Sequence, residues 1–198
     1  MRYTSGGVKM SYVVLDIESV PLKIPDDSVW IYLSEKATVR TMHPVFSKVI
    51  TIGIKKPDAD PEVIHGDNEK ELLEKFWDLM NKLRPNPIVT YNGYGYDIPF
   101  LTVRSVINKV KPTIRIEPNK WRMDGSNHFD CMLVLSDKGN FLNVAQEIAC
   151  RMLGIGVSGD TISGSQIEEC YNKGDWKPII DRCKRDLMMT EELYKRLK

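Results

Sequence analysis

The chain has 198 residues, 42% hydrophobic and 28% charged, with a formal net charge of +1. That length and composition suit one domain spanning residues 1–198 with a real core, and they exclude a low-complexity or fibrous chain. A balance so close to neutral carries no compositional argument for nucleic acid, so any basic groove has to come from the placement of charges. Cys131, Cys150, Cys170 and Cys183 show neither CxxC nor zinc-type spacing and sit among apolar or helical neighbours, which reads as buried thiols. The opening "MRYTSGGVKMSY" lacks the apolar centre of a signal peptide, and no apolar run approaches the roughly 18 residues of a membrane span. A cytoplasmic protein with no membrane partner is expected.

In chain order, "YVVLD" (Tyr12–Asp16) predicts a first strand, and "KVITIGIKK" (Lys48–Lys56) a second, alternating and β-branched. "EVIHG" (Glu62–Gly66) predicts a short third, joined to the second as a hairpin through the turn residues of "PDADP". From Asp67 to Leu83, residues Leu72, Leu73, Phe76, Leu79, Met80 and Leu83 recur at helical spacing, with Asp67 or Asn68 as cap and Glu71–Lys75 as an exposed pair. "PNPIVTYN" reads as a short strand buried on both faces. A second helix is expected from near Asp97, with Pro99 in its first turn and Phe100, Leu101, Val103, Ile107 and Val110 inward.

"FDCMLVLS" (Phe129–Ser136) fits either a strand or a buried helix. A helix is predicted over Asn140–Gly154, with Leu142, Ala145, Ile148, Ala149 and Met152 inward and Gly154 as terminator. The last helix is expected from about Pro178 onward, striped by Ile179, Cys183, Leu187, Tyr194 and Leu197. Pro21–Ser47 and Lys111–Asn127, rich in proline and charge, are expected as long loops. Strands early and helices late predict a mixed α/β domain.

Three stretches carry acids in contexts that ask for explanation. Asp16 and Glu18 sit two residues apart at the expected end of the first strand, so their side chains share a face. Adjacent anions repel, and burying either unpaired is costly; a divalent cation resolves both problems. The alternative is that the strand stops at Asp16 and both acids face solvent. In "TYNGYGYDIPFL" (Thr90–Leu101), a buried strand leads through Gly93 and Gly95 to Asp97 at a helix start. The glycines permit close approach of a ligand, and Tyr94 and Tyr96 offer flat faces for bases. Asp97 equally suits a helix cap, and Asn92 a turn brace. In "IIDRCKRDLMMTEELYKRL" (Ile179–Leu197), Asp186 lies beside the buried stripe, one turn from Arg182, with which an ion pair is expected.

The order "DIE", then "NGYGYD" entering a helix, then an Asp in a terminal helix followed by "LMMTEELY", resembles the DEDD superfamily of 3′–5′ exonucleases. The likeness is closest to the exonuclease domains of family B DNA polymerases and their stand-alone relatives. It spans nearly the whole chain: "HPVFSKVITIGI" looks like the second-strand region, "HFDCMLVLS" like the segment before the middle helix, and "YNKGDWKPIIDRCKRDLMMT" like the closing stretch. The resemblance implies a ribonuclease H-like fold, a mixed sheet flanked by helices, with the acids gathered around two divalent ions, Mg²⁺ or Mn²⁺. By this mapping Asp16 bridges both ions, Glu18 and Asp186 complete the first site, and Asp97 holds the second through water. Ser19 and Val20 would lie beside the 3′-terminal nucleotide, with Asn92 and Tyr96 supporting the loop. An all-oxygen ligand set suits such hard cations.

One departure stands out. Members of the superfamily usually carry a Tyr four residues before the last Asp, or a His five before it; here those positions are Arg182 and Asp181. Arginine stays protonated and cannot act as a base, which leaves it to orient a water through another group or to contact a phosphate. "YNKGD" places Tyr171 four residues before Asp175, but Gly174 and Pro178 make a poor helix there. Asp186 is therefore kept as the fourth acid, with Tyr171 as a substitute base from a neighbouring loop. His43 and His65 read as structural and His128 as a surface residue. Lys48, Arg104, Lys109, Lys111, Lys120 and Arg122 are candidate phosphate contacts, each also explicable as solvated surface.

Two functions follow from the resemblance. One is a metal-dependent 3′–5′ exonuclease releasing nucleoside monophosphates, with single-stranded DNA favoured and RNA left open as partner. The other is a catalytically silent exonuclease fold that binds nucleic-acid ends, kept alive by Arg182. Whether the chain forms a homodimer is left open.

Overall fold

The computed structural model describes residues 12–24, 26–35, 43–121, 126–156, 159 and 161–198. Its strands are β1 (Val13–Pro21), β2 (Ser47–Lys55), β3 (Glu62–His65), β4 (Ile88–Thr90) and β5 (His128–Asp130). Its helices are α1 (Asp27–Glu35), α2 (Glu69–Leu83), α3 (Asp97–Ile107), α4 (Cys131–Leu135), α5 (Gln146–Met152), α6 (Ile167–Asn172) and α7 (Trp176–Leu197). The strands form one sheet in the order β3-β2-β1-β4-β5. The β3-β2-β1 half is antiparallel, whereas β4 and β5 run parallel to β1. β1 is thus central, and the chain leaves it toward one edge first and the other edge later. In an open α/β sheet this places a crevice at the carboxyl ends of the two strands where the direction switches.

Alternation along β1 sorts its side chains. Val13, Leu15 and Ile17 join Leu72, Phe76 and Met80 of α2 and Phe100 and Leu101 of α3 in one core. Val14 turns the other way, toward Cys183 and Leu187 of α7. Asp16 and Glu18 follow Val14 by the period of two and lie on the α7 face. The strand does not stop at Asp16 as its apolar run suggested. β2 pairs with β1 from Val14 to Pro21, so both acids lie within paired strand. Glu18 opposes Thr51 and Ser19 opposes Val49, which leaves Ile50 as the extra residue of a bulge. Ile50 then packs with Val20, Ile167 of α6 and Ile179 of α7 in a third core cluster.

α7 approaches the sheet closely because Gly53 stands opposite Asp16 on β2. A Cβ there would lie 2.4 Å from Cys183 Sγ and 2.8 Å from Leu187 Cδ1. Glycine inside a strand is unfavourable in itself and marks this close approach. Further along, buried Glu191 of α7 accepts from the Tyr12 hydroxyl at 2.8 Å and pairs with Lys55 Nζ at 3.0 Å. On the opposite face, buried Glu69 and Arg104 form a forked pair at 2.8 and 2.5 Å, and Glu69 also accepts from the Val49 amide at 2.7 Å. Arg104 therefore ties α3 to α2 and β2 and is not a phosphate contact.

Several local expectations are corrected. α1 lies inside the region expected as loop; Leu33 is its buried side chain, so its apolar face is too thin to show periodicity. "FDCMLVLS" is both alternatives in succession, the last two residues of β5 followed by α4 after Asp130. The helix expected over Asn140–Gly154 is shortened to α5, and Leu142, Ile148 and Met152 are exposed. α5 instead packs through small Ala149 and Cys150, and Gln146 Nε2 donates to the Asp186 carbonyl and Thr190 Oγ1 of α7. Ile107 is exposed, and Ser105, which receives Trp77 Nε1 at 2.8 Å, faces inward from α3. Asn68 caps α2 and bonds Glu71, so the i,i+4 pair on that helix is Lys70–Glu74, not Glu71–Lys75. All four cysteines are free, three of them buried. Among the described residues no helix is long and apolar enough to cross a membrane. Arg122 lies outside the described residues.

Candidate active site

β4 is short, and it pairs with β1 only at Val13 and Val14. Past that point β1 has no strand on its β4 side, and the start of α3 takes the vacant edge. The Ile17 amide donates to Asp97 Oδ1 at 3.1 Å, which draws this buried carboxylate against the strand that carries Asp16 and Glu18. Tyr96, not Asp97, holds the cap position of α3, so the cap role considered for Asp97 gives way to this longer-range bond.

The loop that delivers Asp97 is tightly built. Asn92 sits in the left-handed region at φ 66°, a conformation asparagine tolerates. Its carbonyl accepts from the Gly95 and Tyr96 amides at 3.0 Å each, and its own amide donates to Asp130 Oδ1 at 2.9 Å. A Cβ on Gly93 would meet Thr90 Oγ1 at 2.1 Å, so only glycine lets the loop fold back on β4. Asp130 also accepts from the Tyr94, Met132 and Leu133 amides at 3.0–3.2 Å, capping α4 and bracing this loop with one side chain. Asn92 is thus a brace.

Asp16, Glu18 and Asp186 each offer a carboxylate oxygen, all within 4.8 Å of one another. Glu18 and Asp186 are buried; Asp16 is partly buried, but its Oδ2 is shielded and without a hydrogen-bond partner. Burial pushes Glu18 up to about 7, opposed by the Arg182 guanidinium and reinforced by Asp186. Burial also lifts Asp97 to about 8, against the restraining hydrogen bonds of its own and the Ile17 amide. Asp16 is raised well above the carboxylate range by burial, then by Glu18, Asp97 and Asp186. Asp186 is raised by burial, with Arg182 and Arg185 pulling it back. Such a cluster is short of positive charge.

Arg182 supplies part of that charge. Its Nε donates to Glu18 Oε1 at 2.9 Å, its Nη2 lies 3.2 Å from Asp186 Oδ2, and its Nη1 donates to the Ile162 carbonyl at 3.1 Å. The expected pair with Asp186 is present, and Glu18 is added to it from the far end of the chain. Arg185 Nε lies 3.6 Å from Asp186 Oδ1, and its Nη2 lies 3.4 Å from Glu147 Oε2.

The remaining candidates are distributed around this centre. The Ser19 and Tyr96 hydroxyls are 2.7 Å apart, and the Tyr96 ring packs on Phe100, so protein covers the face expected to receive a base. Val20 turns its side chain into the core with Ile50 and Ile179, which leaves its backbone for any nucleotide contact. Tyr94 is partly buried with its ring 4.1 Å from that of His128. His128 is buried, not superficial, with Nε2 2.8 Å from Thr90 Oγ1, and burial lowers it to about 4. The Tyr171 hydroxyl, considered as a substitute base, donates instead to Asp67 Oδ1 at 2.7 Å, and Lys48 lies over the Tyr171 ring.

Arg185, Gln146 and Asp130 belong to this region and are missing from the sequence-derived set. For Asp130 a signal existed: an Asp directly before the apolar run "CMLVL" is a cap pattern. Gln146 and Arg185 reach their partners across 38–40 residues, beyond any local pattern.

A family described as predicted 3′–5′ exonucleases related to the exonuclease domain of PolB matches residues 39–198. An uncharacterized protein of Methanocaldococcus jannaschii is 30% identical over 163 residues, covering 78% of this chain and 88% of that protein. A DNA polymerase of Archaeoglobus fulgidus is 21% identical over 201 residues, covering 97% of this chain but 26% of the polymerase. Among solved structures, the family B DNA polymerase of Pyrobaculum calidifontis superposes with a TM-score of 0.72 at 17% identity, over 98% of this chain and 25% of that one. The chain therefore spans about a quarter of these two polymerases, and its mixed sheet flanked by helices is the α/β, ribonuclease H-like architecture that the motifs implied. With most of its length inside the family match, the chain belongs to the family of predicted 3′–5′ exonucleases related to the exonuclease domain of PolB.

Proposed function

We propose that the chain is a metal-dependent 3′–5′ exonuclease that hydrolyses phosphodiester bonds of single-stranded DNA to nucleoside monophosphates. The observation that carries this reading is the convergence of Asp16, Glu18 and Asp186 on one face of β1, with Asp97 bonded to the same strand. The donor set is all oxygen, and Asp16 Oδ2 is a shielded acceptor without a close hydrogen-bond donor, the Cys183 thiol being the neighbour of its carboxylate. Both features fit Mg²⁺ or Mn²⁺. Asp16, Glu18 and Asp186 would hold one ion, and Asp16 with Asp97 a second. Bound there, the ions supply Lewis-acid charge to the scissile phosphate.

The protein's own groups set the stage for that chemistry. The Ile17 amide fixes the Asp97 carboxylate, and the Asp130 cap fixes the loop that carries it. The paired hydroxyls of Ser19 and Tyr96 stiffen the strand just past the acids. Arg182 stays cationic and is unsuited to accept a proton from water. The aromatic and basic side chains Trp30, Lys48 and Tyr171 line an open cavity with Lys23 beyond the end of β1, a surface suited to a single strand.

A second reading, a silent fold that holds nucleic-acid ends, is favoured by one observation: Arg182 spans two of the acids. The two are separated by incubating 5′-labelled single-stranded DNA with Mg²⁺ or Mn²⁺, alongside the Asp16→Ala variant. The exonuclease gives a ladder shortening from the 3′ end that the variant abolishes. Binding without degradation in both proteins leaves only the second reading.

A further inference from the structure

The guanidinium of Arg182 lies on the same two carboxylates, Glu18 and Asp186, that would complete the first ion site. It is not a loose surface pair: the arginine side chain is mostly buried, and its third contact, Nη1 to the Ile162 carbonyl, fixes the fork in place. Asp16, the third acid of the cluster, brings one carboxylate oxygen within 4.8 Å of theirs. A divalent ion such as Mg²⁺ contacts carboxylate oxygens at about 2.0–2.1 Å. Placed between Glu18 and Asp186, it would share their oxygens with a fixed positive charge, and the two cations repel across a space of a few ångström.

We infer that Arg182 is the site's resident counter-cation, and that a divalent ion enters the Glu18–Asp186 position only by exchange with its guanidinium. This rests on the metal reading above and adds a property to it: ion binding is weakened and coupled to a side-chain movement. Arg182 has somewhere to go. Its Nη1 already has a partner outside the acid cluster, the Ile162 carbonyl, and the residue flanking its Nη2 is Gly164, which carries no side chain to block a rotation. Arg185 faces the other oxygen of Asp186, its Nε 3.6 Å from Oδ1 and its Nη2 paired with Glu147, and it keeps these contacts during the exchange. A rotated Arg182 stays at the rim, where a guanidinium suits a phosphate oxygen of the strand. The first cation of the site is thus part of the chain, and it is swapped for an ion when the site is loaded.

Two measurements test this. Mn²⁺ binding is followed by the electron paramagnetic resonance of the free ion, on the whole chain, for the wild type, Arg182→Gln and Asp16→Ala. Removing the competing charge is expected to tighten Asp16-dependent Mn²⁺ binding in Arg182→Gln by about tenfold or more. Equal or weaker Mn²⁺ binding in a folded Arg182→Gln, with Asp16-dependent binding intact in the wild type, overturns the exchange and leaves the metal reading standing. Absence of Asp16-dependent binding from both overturns both. The second measurement needs no variant at position 182: the Nε–H resonance of Arg182 in the wild type is expected to shift with Mg²⁺ and saturate with ion binding. A resonance unmoved at saturating Mg²⁺ overturns the proposal.

Discussion

Replacing Gly53 by alanine perturbs the point where α7 meets the sheet beneath Asp16. The added Cβ would fall 2.4 Å from Cys183 Sγ and 2.8 Å from Leu187 Cδ1. Ordinary carbon contacts lie at about 3.5–4.0 Å, so the deficit is about 1 Å or more against two fully buried side chains. Neither neighbour is the free end of a long flexible chain, so the helix itself has to give. Overpacking of this kind costs about 1–3 kcal/mol, and for a chain of this size each kcal/mol lowers the melting temperature by about 2–4 °C. The expected drop is therefore about 2–12 °C. Because Asp186 rides on the same helix, its distance to Asp16 grows as well, and Mn²⁺ binding weakens with the melting temperature. Cys183→Ala removes the nearer clash and leaves the Leu187 contact, so the double variant recovers part of the loss, with a coupling of about 0.5–3 kcal/mol in a double-mutant cycle. A Gly53→Ala protein that melts within about 1 °C of wild type, or a Cys183→Ala change that adds to the loss, refutes the packing account.

Three further outcomes follow from the same geometry. Burial holds Glu18 at about 7 and Asp97 at about 8, above their ordinary values of 4.5 and 3.8. Between those values the folded state therefore binds more protons than the unfolded one. Stability in EDTA is greatest near the ordinary values and falls as the pH rises through about 7–8, each tenfold difference in proton affinity being worth about 1.4 kcal/mol. Thermal melts across that range check the slope, and a rise toward pH 8 contradicts it. Asp130→Ala strands four amide donors and removes the cap of α4, for an expected loss of about 2–4 kcal/mol in urea unfolding, with Asp130→Asn losing less. Asp97→Asn keeps an oxygen for the Ile17 amide but sheds the charge, so the melting temperature in EDTA holds or rises while nuclease activity falls about 10–100-fold.

What could be read from the sequence was whatever a local period expresses. Asp16 and Glu18 share a face because strands alternate, and that held although the strand continues past both acids to Pro21, an extension their polarity concealed. The Asn92–Asp97 loop was legible because its glycines and its Asp stand at a strand-to-helix junction. The deep stripe of α7 was legible because Ile179, Cys183 and Leu187 keep helical spacing and are all fully buried. α1 and α5 obeyed no such rule. α1 buries a single leucine, and α5 docks by a glutamine amide and two small side chains while its larger apolar residues stay outside. Arg182 shows the limit most clearly. Spacing exposed its partner four residues away, but its shorter bond is to Glu18, 164 residues distant, and only the fold brings that one into reach.

The buried bonds of Glu191 to Lys55 and Tyr12 have a mechanical consequence for the acids on the same helix. Glu191 lies five residues beyond Asp186, about 7.5 Å along the axis. α7 is thus held to the sheet at two stations, the Glu191 bonds and the Gly53 notch that Cys183 and Leu187 fill. A rod fastened twice neither slides nor ratchets by a turn, so the separation between Asp186 and the strand acids is a fixed dimension of the molecule. Whatever adjusts this centre between its states must act by turning side chains on a stationary frame.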